Sequence, residues 1–244
     1  MVQTLERAMQ IVKLLVSDDS RKSWPISDIS GRVGLPLSTT HRLIVTMIDL
    51  ELVEQVSDTK QYRIGNKWME IGLRQLEKTE LRVVARPVME VLANEVKESV
   101  YLNIPIGIDG ILIERIDSPL NVRVTDKLGA RGPLNLGAPN KAILAYMEPA
   151  KAEAILIKLL ENKQQRAAMQ TELEEIRRRG YGISYGELTK GTASVAAPLI
   201  GFGGKVLGSL GIEIVGERIE PGRLAYLIEH AVKRASEISS RLGG

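Results

Sequence analysis

Short polar side chains and one arginine are concentrated in the segment Ser38-Thr39-Thr40-His41-Arg42. Hydroxyls of this length and nearby backbone N–H groups can donate to phosphate oxygens, and an arginine fork can donate to O6 and N7 of guanine. The surrounding stretch, residues 29–48, contains no Asp or Glu but includes Arg32. Because a surface without acids does not repel phosphate, the segment has the chemistry of a DNA-contacting surface. The alternative is a polar surface helix in an ordinary three-helix domain.

The spacing of apolar residues predicts the elements that would hold this segment. It predicts a first helix from Thr4 to about Ser17 and a second, short helix around 26–33, for which Ser27 would be the N-cap. The sequence Gly34-Leu35-Pro36 then predicts a tight turn, since glycine permits a positive φ and proline cannot continue a helix. A third helix from about Leu37 would carry the polar segment.

Two short strands are predicted at 52–56 and 61–64, joined by a polar turn at 57–60. Helix, helix, turn, helix and hairpin is the order of a winged helix-turn-helix. The hairpin would bring its basic residues to the DNA backbone or minor groove. The predicted DNA-binding residues, of which Thr40 also falls on the buried side of the third helix by spacing, are Ser38, Thr39, Thr40, His41, Arg42, Arg32, Lys60 and Arg63.

Composition excludes several classes of function for this 244-residue chain. Without cysteine it has no disulfide, thiolate metal site or cysteine nucleophile, and its two histidines, His41 and His230, lie in different predicted domains. We therefore expect no catalytic site, metal or cofactor. No apolar run approaches the ~20 residues of a membrane-spanning helix, and the N-terminus does not resemble a signal peptide. We expect a cytoplasmic protein without membrane contacts.

The second half of the sequence changes to strands with flanking helices, which predicts an α/β domain with a mainly antiparallel sheet. The whole chain is thus predicted to be α+β, with a DNA-binding domain at 1–65, a linker helix at 66–80 and a second domain at 81–244. In this domain a hairpin with strands at 100–106 and 111–116, a further strand at 122–125 and a helix from Lys141 to Met147 are expected. Later strands are predicted at 183–185, 194–200 and 206–215, before a long final helix.

One of these strands has a polar face. Ser209, Gly211 and Glu213 alternate with Leu210, Ile212 and Ile214, so the two sets point to opposite sides of the sheet. A carboxylate on a buried face is costly unless it is paired, protonated or bound to a ligand. The alternative is that this face is solvated.

The motifs resemble those of the IclR (isocitrate-lyase-regulator-like) family, and the resemblance extends over nearly the whole chain. Its sequence signatures, in chain order, are LERAMQIVKLL, LPLSTTHRLIVTM, LVEQ, YRIG, ARPVMEVLANEV, NKAILAYM, RRRGYGISYGEL and ASVAAPL. The resemblance implies a winged helix-turn-helix, a GAF-like effector-binding domain, and dimers or tetramers on palindromic double-stranded DNA.

The resemblance also implies an effector site between the sheet and the loop entering the central helix. That helix would begin at Ala138-Pro139-Asn140-Lys141, and a helix N-terminus is a natural anion site, although an ordinary helix start is the alternative. The effector-binding residues implied are Leu134, Ala138, Asn140, Lys141, Ser184, Ser194, Gly211 and Glu213.

The effector itself stays open at this point. Family members that bind small oxo-acids carry a different polar set, so we expect an effector other than glyoxylate or pyruvate. An ionised Glu213 would favour a neutral polyol, an amine or a metal-bridged anion, whereas a protonated Glu213 could donate to an acid. The expected function is DNA-binding regulation controlled by this effector. The alternatives are a second domain that only oligomerises, and an enzyme with a vestigial helix-turn-helix.

Overall fold

Short helices and a two-stranded hairpin make up the N-terminal unit in the computed structural model, which describes residues 3–18 and 20–244. This unit extends to Lys78, and a second unit begins at Thr79. The elements of the first unit are α1 (Gln3–Leu15), α2 (Ile26–Val33), α3 (Leu37–Asp49), β1 (Val53–Gln55), β2 (Tyr62–Ile64) and α4 (Lys67–Glu77).

The apolar faces of α1, α2 and α3 meet the hairpin in one core, in which Ile11, Ile29 and Ile44 are fully buried. Strands β1 and β2 are antiparallel. Trp24 extends this hairpin, because its backbone N–H and carbonyl both bond to Tyr62 at 2.8 Å. The order of helices and hairpin is that of a winged helix-turn-helix, as the apolar spacing predicted.

The turn between α2 and α3 is fixed by local bonds. Gly34 has φ 68°, in the left-handed region that favours glycine, and its N–H donates to the carbonyl of Ser30. The Ser30 hydroxyl donates to the Leu35 carbonyl at 2.7 Å. The prediction that Ser27 caps α2 is wrong. Pro25 occupies the cap position with extended backbone, and Ser27 lies inside the first turn, where its hydroxyl donates to Asp28 Oδ1 at 3.4 Å.

The C-terminal unit is built from a sheet and five helices among the residues that the structure describes. Its helices are α5 (Glu80–Val96), α6 (Ala138–Ala145), α7 (Pro149–Leu159), α8 (Lys163–Arg179) and α9 (Pro221–Arg241). Its strands are β3 (Ser99–Ile106), β4 (Asp109–Ile116), β5 (Arg131–Pro133), β6 (Gly182–Tyr185), β7 (Thr192–Gly201) and β8 (Lys205–Val215). Short 3-10 turns lie at Phe202–Gly204 and Gly216–Arg218.

The six described strands of this unit form one sheet in the order β5-β4-β3-β8-β7-β6, and every neighbouring pair is antiparallel. This confirms the predicted antiparallel sheet. Leu210, Ile212 and Ile214 of β8 join the apolar core between the sheet and helices α5 and α9. Helix α6 packs on the opposite face, against β7 and β8, and a second apolar core lies between α6, α7 and α8.

A predicted strand and the start of a predicted helix differ from the structure. Residues 122–125 form no strand. They are loop, held where the Ser99 hydroxyl donates to the Val124 carbonyl at 2.8 Å, and the sheet instead gains β5 beside β4. Helix α6 begins at Ala138 rather than Lys141, because Pro139 in the first turn already has a helical φ.

An ion cluster joins α5 to β4. A bulge at Leu102–Asn103 changes the register of β3 against β4, so Glu114 lies on the same side of the sheet as α5. The Glu114 carboxylate, 3% exposed, accepts from Arg82 and Arg86, each at 2.8 Å. Because both arginines keep exposed surface, loss of Glu114 would leave charges that water can still reach in part.

Glu114→Ala should lower the free energy of unfolding by about 1–3 kcal/mol, the range for hydrogen bonds to charged groups. The measurement is urea unfolding followed by circular dichroism. Asp117→Ala is the control, since the exposed Asp117 pairs only at the surface with Arg115 and should cost well under that range. Equal losses in both variants would show that the cluster does not stabilise the α5–β4 contact.

Candidate functional site

The first two turns of α3 present an exposed polar face. Ser38, His41 and Arg42 are exposed and Thr39 is half-buried. The helix begins after Pro36 without a side-chain cap, so its first N–H groups are not taken by the residue before it. Exposed hydroxyls, free N–H groups and an arginine together form a surface that can donate to phosphates and base edges.

Thr40 is a correction to the predicted DNA-binding set. Its side chain is fully buried, and its hydroxyl donates to the Pro36 carbonyl at 3.2 Å. This hydroxyl closes the first turn of α3 from the inside, so it cannot reach a ligand. The spacing that placed Thr40 with Ile44 and Met47 on the buried side was the better guide.

The remaining basic residues of the predicted set differ in how free they are. The Arg32 guanidinium lies 4.8 Å from the centre of the Trp24 ring, a cation–π contact. Arg63 is paired with Glu54 across the hairpin at 2.9 Å. Lys60 is exposed in the hairpin turn, with φ 56°. Contact between Arg63 and DNA would therefore require the Glu54 pair to break, whereas Lys60 needs no such change in the described structure.

A cavity of about 230 Å³ lies on the α6 side of the C-terminal sheet. The strands form its floor, the first turn of α6 one wall, and the loops around 126–132 and 188–189 the rest. It is lined by Tyr101, Asn103, Leu112, Asp126, Ala130, Arg131, Gly132, Pro139, Asn140, Leu188, Thr189 and Glu213. The volume is below the usual range for drug-sized ligands, so it suits a small metabolite.

Of the predicted effector-binding residues, Asn140 and Glu213 line this cavity. Ser209 lies on the same side of β8 as Glu213 and is fully buried beside Asn103 in register, whereas Glu213 is half-buried, so this face is closed at Ser209 and open at the cavity. Gly211, between them, has another use. A Cβ there would lie 2.9 Å from Pro139 Cγ, so glycine lets α6 approach the sheet.

The other predicted residues hold the start of α6 in place. The Ala138 N–H donates to Ser184 Oγ at 3.0 Å, and the Ser184 and Ser194 hydroxyls bond to each other at 2.7 Å. Glu187 accepts from the Gly137 N–H at 2.8 Å. The N–H groups at the helix start, which the sequence analysis predicted as an anion site, therefore bind side chains of the protein itself.

Lys141 and Leu134 also lie outside the cavity lining. The Lys141 side chain is 2% exposed, and its Nζ donates to Glu172 at 2.5 Å and to Glu187 at 2.7 Å. Leu134 is fully buried in the core between α6, α7 and α8. Both residues support the helix from its far side.

Sequence reasoning missed most of the cavity wall. Tyr101 and Asn103 alternate along β3 as Ser209, Gly211 and Glu213 do along β8, so the same alternation could have predicted them. Asp126, Arg131 and Leu188 come from loops or a three-residue strand whose positions depend on distant contacts. On this side of the sheet, Asn103 Oδ1, Asn140 Oδ1 and Ser209 Oγ are buried atoms without a hydrogen-bond partner among the described residues. Asn140 Nδ2 is used, since it donates to the carbonyls of Gly132 and Pro133 at 3.3 and 3.2 Å.

The carboxyl groups in the cavity are held in a poorly solvated environment. Burial raises the pKa of Glu213 well above the ordinary glutamate range, and the nearby Asp126 charge raises it further. Burial also raises the pKa of Asp126, against the lowering effect of Arg115. Tyr101 lies with them, and its hydroxyl accepts from the Asp126 N–H at 2.9 Å. The cavity therefore favours the protonated form of Glu213 more than water favours that of an exposed glutamate.

This protonation should appear in the pH dependence of stability. Above the ordinary carboxyl pKa of about 4.3, the unfolded chain releases the Glu213 proton while the folded protein retains it. The free energy of unfolding should therefore fall as pH rises from the ordinary carboxyl pKa through the raised pKa. Glu213→Gln should remove this part of the decline, as measured by urea unfolding at several pH values. Glu229→Gln, an exposed change on α9, should follow the wild-type curve, and parallel curves for all three proteins would contradict the assignment.

Comparisons with known proteins match this architecture over the whole chain. A family model described as "Bacterial transcriptional regulator IclR C-terminal" matches residues 73–240, and one described as "IclR helix-turn-helix domain" matches residues 4–57.

Among the described residues, no helix combines the length and the apolar character needed to cross a membrane.

The similar proteins are regulators. The HTH-type transcriptional regulator KipR of Bacillus subtilis is 27% identical over 248 residues, covering 99% of this chain and 97% of that protein. The HTH-type transcriptional repressor AllR of Klebsiella pneumoniae is 30% identical, and the match covers 99% of this chain and 90% of that protein. An IclR homolog from Microbacterium hydrocarbonoxydans, solved in complex with 4-hydroxybenzoate, superposes with a TM-score of 0.82 at 24% identity, covering 98% and 99%. The two family models that match this chain, together with these full-length relatives, show that the chain belongs to the IclR family of transcriptional regulators, which are DNA-binding proteins rather than enzymes.

Proposed function

We propose that the chain binds a specific duplex through α3 and that a small molecule in the cavity beside α6 controls this binding. The observation that carries the proposal is the cavity, which brings Asn140 from α6, Glu213 from β8 and Asp126 from a loop together around one small space. Convergent polar groups around a small cavity are typical of a ligand site.

The exposed face of α3 supports the DNA-binding half of the proposal. Ser38 and Thr39 stand at the helix start, where they would contact phosphates, and Arg42 one turn later would reach a base edge. Arg32 and Lys60 would contact the backbone on either side. Since a two-fold symmetric assembly matches a palindrome, we infer that a homodimer or tetramer binds a palindromic or pseudo-palindromic site.

Arg42→Ala should weaken binding to the preferred duplex by about 1–3 kcal/mol if Arg42 contacts a base. If it contacts phosphate, all duplexes should be weakened evenly and the salt dependence should become less steep. The measurement is fluorescence anisotropy at several salt concentrations, on a duplex enriched from a random library by the wild-type protein and on a scrambled duplex.

Thr40→Val provides the matched control on the same helix. Because Thr40 is buried and bonds only within its own turn, this variant should lose some stability but keep the affinity of the folded protein for DNA. Unchanged DNA binding in Arg42→Ala would place the recognition surface elsewhere.

The regulatory half of the proposal rests on the cavity and on one relative. The Microbacterium homolog carries 4-hydroxybenzoate, and the fold of that protein matches this chain. A ligand can change DNA affinity only if it binds one arrangement of the protein more tightly than another. We propose that the cavity beside α6 is where that difference arises in this chain.

Gly132→Leu tests whether the cavity controls DNA binding. A Cβ at Gly132 would lie 3.2 Å from Asn140 Nδ2 and 3.4 Å from Leu188, so a leucine there occupies cavity space. The variant should bind the enriched duplex but lose the response to the low-molecular-weight fraction of a host cell extract. Gly222→Leu, at an open position near the start of α9, should keep that response. An equal response in both variants would place the effector site outside this cavity, whereas no response of the wild-type protein would favour a second domain that only oligomerises.

A further inference from the structure

We propose that the cavity beside α6 takes a small organic cation, whose ammonium group is received by the carboxyl groups of Asp126 and Glu213. The inference rests on the proposed function, since it assigns a chemical class to the ligand of the same cavity. It goes beyond the comparisons, because the ligand named in the Microbacterium structure is a carboxylic acid.

Among the described residues of the cavity wall, the charged groups that are not paired are carboxyl groups, and the hydroxyls of Tyr101 and Thr189 can either donate or accept. Asp126 and Glu213 bring two carboxyl groups from a loop and from β8. Asn103 and Asn140 also line the cavity, but their Oδ1 atoms have no accessible surface, so a ligand would meet the two carboxyl groups instead. An ammonium group, with three donors and no acceptor, matches these carboxyl groups.

The cationic side chains and helix-start N–H groups that would hold an acid are already bound to protein groups. Lys141 is paired with two glutamates behind α6. At the helix start, the N–H groups of Gly137 and Ala138 are taken by Glu187 and Ser184, and proline follows as residue 139 without an N–H.

Arg131 is the basic residue among the cavity-lining residues that the structure describes, and it is paired with Asp109 at 2.9 Å. Arg115, which lies behind Asp126, is paired with Asp117 at 2.8 Å and also donates to the Asp126 carbonyl. A carboxylate in the cavity would therefore meet two acids and no unpaired cation among these residues.

The two carboxyl groups also favour a cationic ligand over a neutral one. Burial raises the pKa of both carboxyl groups because their charges are poorly solvated. A neutral polyol would not offset the poor solvation of ionised carboxylates, whereas an ammonium ion within about 4 Å stabilises the ionised forms. The apolar part of the ligand would lie against Leu112, Pro139 and Leu188.

Binding a cation should then release a proton. Glu213 faces Asp126 and Tyr101, is flanked in register by Ser99 and Ser194, and has Arg115 and Arg131 farther out. The ammonium ion binds with its charge unchanged, Glu213 loses its proton to buffer, and no other bond changes. Affinity should therefore rise with pH until the amine itself begins to lose its proton.

The test uses two sets of matched compounds with the full-length protein. One set is 4-hydroxybenzylamine, 4-hydroxybenzyl alcohol and 4-hydroxybenzoate, and the other is ethanolamine, ethylene glycol and glycolate. Within each set only the charged or polar group changes. Calorimetric titration in phosphate and in Tris should show saturable binding for an amine and weaker binding for its alcohol and acid. The heat should also differ between the buffers by the amount that proton release predicts.

Two conservative variants locate the amine. Glu213→Gln and Asp126→Asn keep the side-chain shape and should each weaken amine binding by about 10-fold to 100-fold, the scale of one charged hydrogen bond. Glu229→Gln makes the same charge change on α9, across the sheet from the cavity, and should leave binding unchanged. Circular dichroism at the titration temperature checks that each variant is folded.

The outcomes separate this inference from the proposed function. Tighter binding of an acid or an alcohol, sensitive to Gly132→Leu, would overturn the cation assignment and leave the cavity as a ligand site. Amine binding that neither carboxyl variant weakens would also overturn it, as would the absence of saturable amine binding at millimolar concentrations. The proposed function fails separately, if Gly132→Leu keeps the full response of DNA binding to the host extract.

Discussion

The C-terminal sheet is buried on both faces, but only one of them is apolar, and this difference governs the rest of the domain. On the α5 and α9 side, leucine, isoleucine and valine fill the core without needing partners. On the α6 side, every buried polar atom must find a hydrogen bond or remain a cost. Ser184, Ser194 and Ser99 find partners in the α6 start, in one another and in the 118–126 loop. Where α6 and that loop do not close over the strands, the cavity remains.

The position of α6 follows from the same constraint. Glu187 accepts from the Gly137 N–H with one carboxylate oxygen and from Lys141 Nζ with the other, so a single side chain holds both the end and the flank of the helix. Lys141 can be buried there because two glutamates neutralise and bind it. The arrangement fixes the cavity wall, and it also consumes donors that an anionic ligand would otherwise use.

Periodicity predicted the parts of the fold whose environment is set locally. The alternation at 209–214 placed its two faces correctly, and the turn at Gly34 followed from a backbone position that glycine favours. One error was local, since α2 begins directly after Pro25 and so leaves Ser27 inside its first turn. The others came from contacts between distant segments. Residues 122–125 have strand-like composition but no neighbouring strand. Lys141 looked available to a ligand because the glutamates that bind it lie 31 and 46 residues farther along the chain.

The chemistry of the cavity depends on fewer residues than its shape does. The relatives share the architecture at 20–30% identity, which requires the pattern of apolar and small residues but not particular polar ones. Glu213 stands between Ser99 and Ser194 in register, a position where its carboxyl group cannot be solvated freely. Under the proposed assignment, Glu213 and Asp126 set the charge of the cavity wall, while other residues hold the sheet and α6 in place. We therefore infer the ligand class of this chain from its side chains around the cavity, because the fold alone does not determine it.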